Sequence, residues 1–220
     1  MPSHSDIELF SSVRDRLYTA VVGDILDQMG HLVHFLPAQI HPITPQMVVV
    51  GRARPVIVED GPGSARDPFG KLLDALDSLR EGDVYITNGG ATPYALWGEL
   101  LSTRATHLKA AGAVMNGYHR DTAGILATGF PTFSWGPWAK DIKYRGRVVD
   151  FNVPAVVGGV PVAPGDVIFG DRDGVLVVPQ ALADEVFSKA LAAVAGENLV
   201  REGFRQGMAA VEAWEKFGVM

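Results

Sequence analysis

The sequence predicts a single α/β domain with helices layered on a sheet. Three observations carry this. The 220-residue chain is 47% hydrophobic and 20% charged, ordinary for a globular domain and long enough to bury a full core without disulfides or structural metals. Its middle alternates β-branched runs with helix-period runs, the pattern of strands joined by crossover helices. Its later part is a series of short apolar runs cut by Gly, Pro and Asp, followed by helical sequence.

Taken in order, residues 7–29 read as two helices. Ile7, Phe10, Val13 and Leu17 recur at the helical period, Thr19 is placed to cap the second helix, and Gly30 to end it. Residues 31–46 form a Pro- and His-dotted connection. Residues 47–58 are β-branched but hold Gly51 and Pro55, which predicts two short strands or one kinked strand. Phe69, Leu72, Leu73, Leu76 and Leu79 make an apolar helical stripe. Asp83–Thr87 is a short strand, Asn88, Gly89 and Gly90 a break, and residues 93–111 a helix with Thr92 and Pro93 as its cap and first residue. Residues 113–116 form the next strand. Residues 146–178 read as a β-meander or small barrel-like sheet, and residues 182–217 as two helices with a break near 203–207.

Composition excludes several classes. Nineteen basic against 25 acidic residues leave a net charge of −6, so nucleic acid is not expected as a partner, because phosphate contacts need clustered positive charge. The absence of cysteine excludes a thiol nucleophile and Cys-ligated zinc or iron–sulfur centres. No apolar stretch is long enough for a membrane span, and the first ten residues lack a secretory pattern. A cytoplasmic protein without membrane contact is expected.

The chemistry-bearing residues lie at 82–121. If the strands at 83–87 and 113–116 pair in parallel, the polar clusters that follow them meet beyond their carboxyl ends, where α/β units place ligands. The glycine break offers unpaired N–H groups at a helix start, suited to a carboxylate or phosphate, yet an ordinary strand-to-helix turn explains it more simply. Arg120 can grip a carboxylate bidentately and Asp121 can hold a divalent cation. The plain alternative makes Asp121 a helix cap and Arg120 a surface residue. His31 and His34 in a predicted loop are a weak metal motif, and Asp171, Asp173 and Gly174 fit a turn better than a calcium loop. There is no G-x-S-x-G elbow, P-loop or dinucleotide fingerprint. None of the lysines sits in an apolar strand suited to imine chemistry.

The run G-G-x4-A-x-W-G-x-L-L, then A-A-G-A-V, then N-G-x-x-R-D resembles the family of class II 4-hydroxy-4-methyl-2-oxoglutarate aldolases, which also contains the regulators of ribonuclease E activity. The likeness is strongest over 82–121 and extends over most of the chain. It implies an α/β sandwich resembling a swivelling β/β/α domain with flanking helices, assembled as a homotrimer or a dimer of trimers. It implies a lyase that cleaves a 4-hydroxy-2-oxo acid to pyruvate and decarboxylates oxaloacetate, with Mg2+ or Mn2+ as cofactor and a 2-oxo acid as ligand. The alternative is a non-catalytic regulator that binds a ribonuclease. By matching position, Arg120 corresponds to the substrate-carboxylate arginine and Asp121 to the metal ligand. Gly98, Glu99, Leu100 and Leu101 correspond to the segment whose amides cradle the substrate. Glu197 corresponds to an acidic residue serving a neighbouring subunit's metal site. Because amides inside a formed helix are already paired, the resemblance requires a helix start near Gly98, against the start at Pro93 read from the turn. Asn116 stands where the family usually has Asp, which removes a negative charge and a candidate base, a role His119 could take over.

Overall fold

The computed structural model describes residues 4–90 and 93–218. Thr92 lies outside the described residues, as does the side chain of Ile7. The elements are α1 (His4–Arg16), α2 (Thr19–Gln28), β1 (His41–Pro42), β2 (Val49–Asp60), α3 (Leu72–Asp77), β3 (Asp83–Thr87), β4 (Ala95–Trp97), α4 (Glu99–His107), β5 (Gly112–Met115), β6 (Tyr118–His119), α5 (Thr122–Thr128), β7 (Thr132–Ser134), β8 (Gly146–Phe151), β9 (Ala155–Val157), β10 (Val160–Val162), β11 (Val167–Asp171), β12 (Gly174–Val178), a 3-10 turn at Gln180–Leu182, α6 (Ala183–Arg205) and α7 (Ala210–Phe217).

The fold is mixed α/β with a nearly closed, barrel-like sheet and flanking helices. The strand order is β1-β7-β5-β3-β2-β11-β12, with β8 also on β2. Strands β2, β3, β5 and β7 run parallel, and α4 and α5 make the crossovers β3–β5 and β5–β7. The strap at residues 34–42 nearly closes the barrel. Phe35 bridges Leu176 of β12, and His41 and Pro42 pair with β7. Val49, Val84, Ile86, Val114, Phe133 and Ile168 fill the interior, and the β9–β10 hairpin adds Ala155, Val157, Val160 and Val162. Outside it, α1, α2 and α6 cover β11 and β12, while α3, α4 and α5 build a second layer with Tyr85, Tyr94, Leu96 and Trp97.

One alternative is decided here and three expectations are corrected. Of the two readings of 47–58 the single strand holds, with a shift of register between Ile57 and Val58. Pro55 interrupts nothing, because its nitrogen faces the gap on β2 between the end of β11 at Arg52 and the start of β8 at Val56. The block at 146–178 is not one continuous meander: β8 and β11 join the main sheet through β2, while β9 and β10 pair only with each other. Thr19 is the first helical residue rather than the cap. Its N–H and hydroxyl both donate to the Asp171 carboxylate, at 2.7 and 2.8 Å. Residues 93–98 are not helical. Tyr94, Leu96 and Trp97 are buried, β4 pairs with β6, and α4 starts only after Gly98. Among the described residues, no helix is long and apolar enough to cross a membrane.

Candidate active site

One short parallel pairing builds the site. Strand β4 pairs with β6, so the chain segments leaving their carboxyl ends, Gly98–Glu99 and Arg120–Asp121, emerge side by side. The Arg120 N–H donates to the Trp97 carbonyl at 2.9 Å and locks the two together. At the start of α4, the Trp97 indole donates to Ser102 Oγ at 2.7 Å, and Ser102 Oγ donates to the Gly98 carbonyl at 3.1 Å. The first intrahelical backbone bond runs from Ser102 N–H to Gly98 O. The N–H groups of Glu99, Leu100 and Leu101 therefore precede the helical ladder and have no partner within it, beside the positive end of the helix dipole. This is the helix start that the family resemblance requires.

Asp121 has φ 56° and ψ 40°, the left-handed region. Asp tolerates this conformation better than most residues, and it turns the chain sharply into α5. Asp121 occupies the N-cap position of α5, with its carbonyl accepting from Ile125 N–H at 3.0 Å, but its side chain makes no capping bond, and its carboxylate is half exposed. Gly98 has φ −162°, which any residue adopts, so its glycine serves space. A Cβ there would lie 2.7 Å from Asp121 Oδ2 and 3.5 Å from Arg120 Cγ. The Arg120 guanidinium sits 3.6 Å from Asp121 Oδ2 through Nε and 3.3 Å from Asp141 Oδ2 through Nη1. Sequence reasoning missed Asp141. It lies in the loop between β7 and β8 and is brought in by a bridge to Ala95, a pairing no local pattern announces.

Cavities flank Arg120 and Asp121 on two sides. One, of about 280 Å3, runs between α3, β4 and the start of α4, and Asp141 and Ile142 also line it. The other, of about 340 Å3, is walled by Thr122, Pro137, Trp138 and Ala139. A larger open groove of about 980 Å3 lies elsewhere, between α1 and the loops that precede β3, β5 and β7.

The donor set suits a hard divalent cation. Asp121 presents a half-exposed carboxylate next to the space that Gly98 leaves. Among the described residues, no three His, Cys, Asp or Glu side chains converge. Mg2+ is commonly held in this way, by one or two carboxylates with water and substrate completing the octahedron.

The remaining sequence candidates sit apart from this pair. The Asn116 amide donates to the Asn88 carbonyl at 2.9 Å, while its Oδ1 is buried without a partner. Here Asn116 ties the glycine turn after β3 to the end of β5. His119 is buried, with Nδ1 2.6 Å from Ser134 Oγ and Nε2 3.0 Å from Thr122 Oγ1. With both ring nitrogens so engaged, the ring braces β7 and α5, and burial lowers its pKa. Glu197 lies on α6, which packs on α2, and its carboxylate accepts from the Tyr18 hydroxyl. The Glu99 side chain lies over Gly124 of α5, leaving its backbone to the site. His34 is buried, with Nδ1 2.6 Å from the His31 carbonyl, and the two form no ligand pair. Asp171 and Asp173 form the predicted turn, with Asp173 N–H on Asp171 Oδ1 at 2.9 Å.

Residues 19–177 match the family model RraA-like, described as Aldolase/RraA. A protein of Halalkalibacterium halodurans, provisionally named a 4-hydroxy-4-methyl-2-oxoglutarate aldolase, is 31% identical over 213 residues, 96% of each chain. An uncharacterized protein from Pseudomonas syringae superimposes with a TM-score of 0.86 at 27% identity, covering 96% of this chain and 94% of that one. Streptomyces coelicolor RraAS2, described as an unusual member of the RNase ES inhibitor RraA protein family, superimposes with a TM-score of 0.77 at 25% identity, covering 88% and 96%.

Proposed function

The chain belongs to the RraA-like family, and from that premise we propose that it is a divalent-metal-dependent carbon–carbon lyase that releases pyruvate from a 4-hydroxy-2-oxo acid. The observation that carries this reading is the pairing of Arg120 and Asp121 with the unladdered amides that open α4. In this reading the Arg120 guanidinium holds the C1 carboxylate, a task for which its planar fork is suited. The N–H groups of Glu99, Leu100 and Leu101 donate to the oxygens of the 2-oxo acid head, fixed donors of the kind that stabilise developing negative charge. Asp121 would hold Mg2+ or Mn2+, and the ion supplies Lewis-acid polarisation of the 2-oxo group. Transfer of the 4-hydroxyl proton to water and cleavage of C3–C4 leave a new carbonyl and the pyruvate enolate, which takes a proton from water at C3. Oxaloacetate decarboxylation reaches the same enolate, so one site serves both reactions. The reading includes assembly as a trimer or dimer of trimers in the cytoplasm, with Glu197 serving an adjacent copy's site.

The test is pyruvate release from 4-hydroxy-4-methyl-2-oxoglutarate and from oxaloacetate, with Mg2+ and then with excess EDTA. Release should require the metal and fall at least a hundredfold in Asp121→Asn, which keeps the left-handed turn. Full metal-dependent activity in Asp121→Asn refutes the assignment. The likeness to RraAS2 supports a second reading, a regulator that binds a ribonuclease. Stable co-purification with a ribonuclease, without turnover of any 2-oxo acid, would favour it.

A further inference from the structure

Strand β4 holds Arg120 twice, once through the main chain and once through the side chain. The Arg120 N–H donates to the Trp97 carbonyl at 2.9 Å. The guanidinium lies between two carboxylates, with Nε 3.6 Å from Asp121 Oδ2 and Nη1 3.3 Å from Asp141 Oδ2. Asp141 is itself fixed to β4: Ala95 N–H donates to the Lys140 carbonyl at 2.7 Å, and Asp141 bridges Ala95. The loop is also tied down beyond it. Asp141 Oδ1 accepts from the Lys143 N–H at 3.3 Å, a turn that Asp side chains favour, and the Asp141 carbonyl accepts from Arg145 Nη1 at 3.0 Å. The carboxylate that faces the guanidinium is therefore placed by the backbone around it.

We propose that Asp141 is a positioning residue, which holds the Arg120 guanidinium in the orientation that receives the substrate's C1 carboxylate. This rests on the reading of Arg120 given above. A long side chain that is 38% exposed has many rotamers, and fixing it in advance removes that entropy cost from the binding step. Asp121 is a poor holder while it carries a cation, because the ion's positive charge opposes that of the guanidinium. Asp141 stands at Nη1, whereas Asp121 approaches Nε, so the Asp141 contact does not compete with the metal. It is made within one chain and does not depend on what an adjacent copy adds. The C1 carboxylate remains a carboxylate in the substrate, the transition state and the enolate, so a better-held Arg120 strengthens all three alike. Asp141 therefore acts on KM rather than on kcat.

The experiment measures kcat and KM, with Mg2+, for pyruvate release from 4-hydroxy-4-methyl-2-oxoglutarate in the unaltered protein, Asp141→Asn, Arg120→Lys and the double variant. Exchange of the pyruvate methyl protons with D2O, followed by NMR, gives a KM for the 2-oxo acid head alone. Asn removes the charge of Asp141 but keeps its shape, its turn to Lys143 N–H and its bridge to Ala95, so the melting temperature should hardly move. The expected result in Asp141→Asn is a KM raised about fivefold in both assays, the upper range for a partly exposed ion pair, with kcat within about twofold. In the Arg120→Lys background there is no planar fork to orient, and the same substitution should change KM by less than about twofold. An unchanged or lowered KM in Asp141→Asn overturns this inference and leaves the lyase reading standing, and so does a loss that persists in full beside Arg120→Lys. Absence of both release and exchange in the unaltered protein overturns the lyase reading and this inference with it.

Discussion

Replacing Gly98 by Ala probes the site at its tightest approach. The new methyl would sit 2.7 Å from Asp121 Oδ2, where ordinary contacts begin near 3.4 Å. The carboxylate or the helix start must therefore retreat by about 0.7 Å. The Asp121 side chain is half exposed and, among the described residues, held only by its ion pair to Arg120, so the fold itself gives little resistance. Ala is a poorer N-cap than Gly by roughly 0.5–1 kcal/mol. At φ −162° it also recovers about 0.4–1 kcal/mol by restricting the unfolded chain. The two nearly cancel, and the melting temperature should stay within about 4 °C of the parent. A misplacement approaching 1 Å costs up to about a hundredfold in rate, so kcat/KM for pyruvate release should fall about 10- to 100-fold, or roughly 1.4–2.7 kcal/mol. A coupled pyruvate assay run beside calorimetric melting separates the two effects. Activity within twofold of the parent would refute the placement of Asp121 at the reaction centre. A fall of 10 °C or more in melting temperature would show that the backbone, rather than the carboxylate, gave way.

Arg120→Lys keeps the charge but loses the bidentate fork. It should lower kcat/KM about a hundredfold by steady-state kinetics with little change in melting, since partly exposed ion pairs such as Arg120–Asp141 contribute about 1 kcal/mol or less. Asn116→Asp removes the donor to the Asn88 carbonyl and puts a carboxylate against it, so stability should fall by about 1–3 kcal/mol at pH 7, readable by urea denaturation and partly restored as the acid is protonated. Burial, and then the hydrogen bond to Glu197, push the Tyr18 phenol up to about 12 from an ordinary 10. The fold holds the neutral form, so its contribution is full below pH 10 and is lost as the pH rises toward 12. Tyr18→Phe should flatten part of the alkaline fall in melting temperature, and Tyr85 and Tyr94, whose phenols burial also raises, keep the remainder. An unchanged alkaline slope in Tyr18→Phe would count against that account.

Local pattern was enough for the elements that propensity and burial agree on. Asp83–Thr87, the strand after Gly112 and the helices of the tail are continuous apolar or periodic runs, and each forms near its expected bounds. Arg120 and Asp121 were legible as a chemical pair because their side chains name their own chemistry. The errors fall where a partner distant in sequence decides the outcome. Residues 93–98 satisfy a helix start by their turn chemistry, yet they form no helix because β6 supplies the hydrogen bonds and the core takes Tyr94, Leu96 and Trp97. Pro55 reads as a break until the gap between β11 and β8 shows that no ladder bond is missing there. Asp141, well beyond Asp121 in the chain, becomes a partner of Arg120 only through its bridge to Ala95.

The sequence by itself determined the α/β class and the exclusion of thiol chemistry, and it singled out Arg120 and Asp121 as candidates for a carboxylate and a cation. Tertiary structure alone decided that the amides opening α4, the Arg120 fork and the Asp121 carboxylate share one cavity, that Asn116 serves as a tie to Asn88, and that Asp141 stands against Arg120. The reason is physical. Propensity and periodicity act over a few residues, whereas a site is a set of short distances between segments far apart in the chain, and those distances exist only once strand pairing and core packing have brought the segments together.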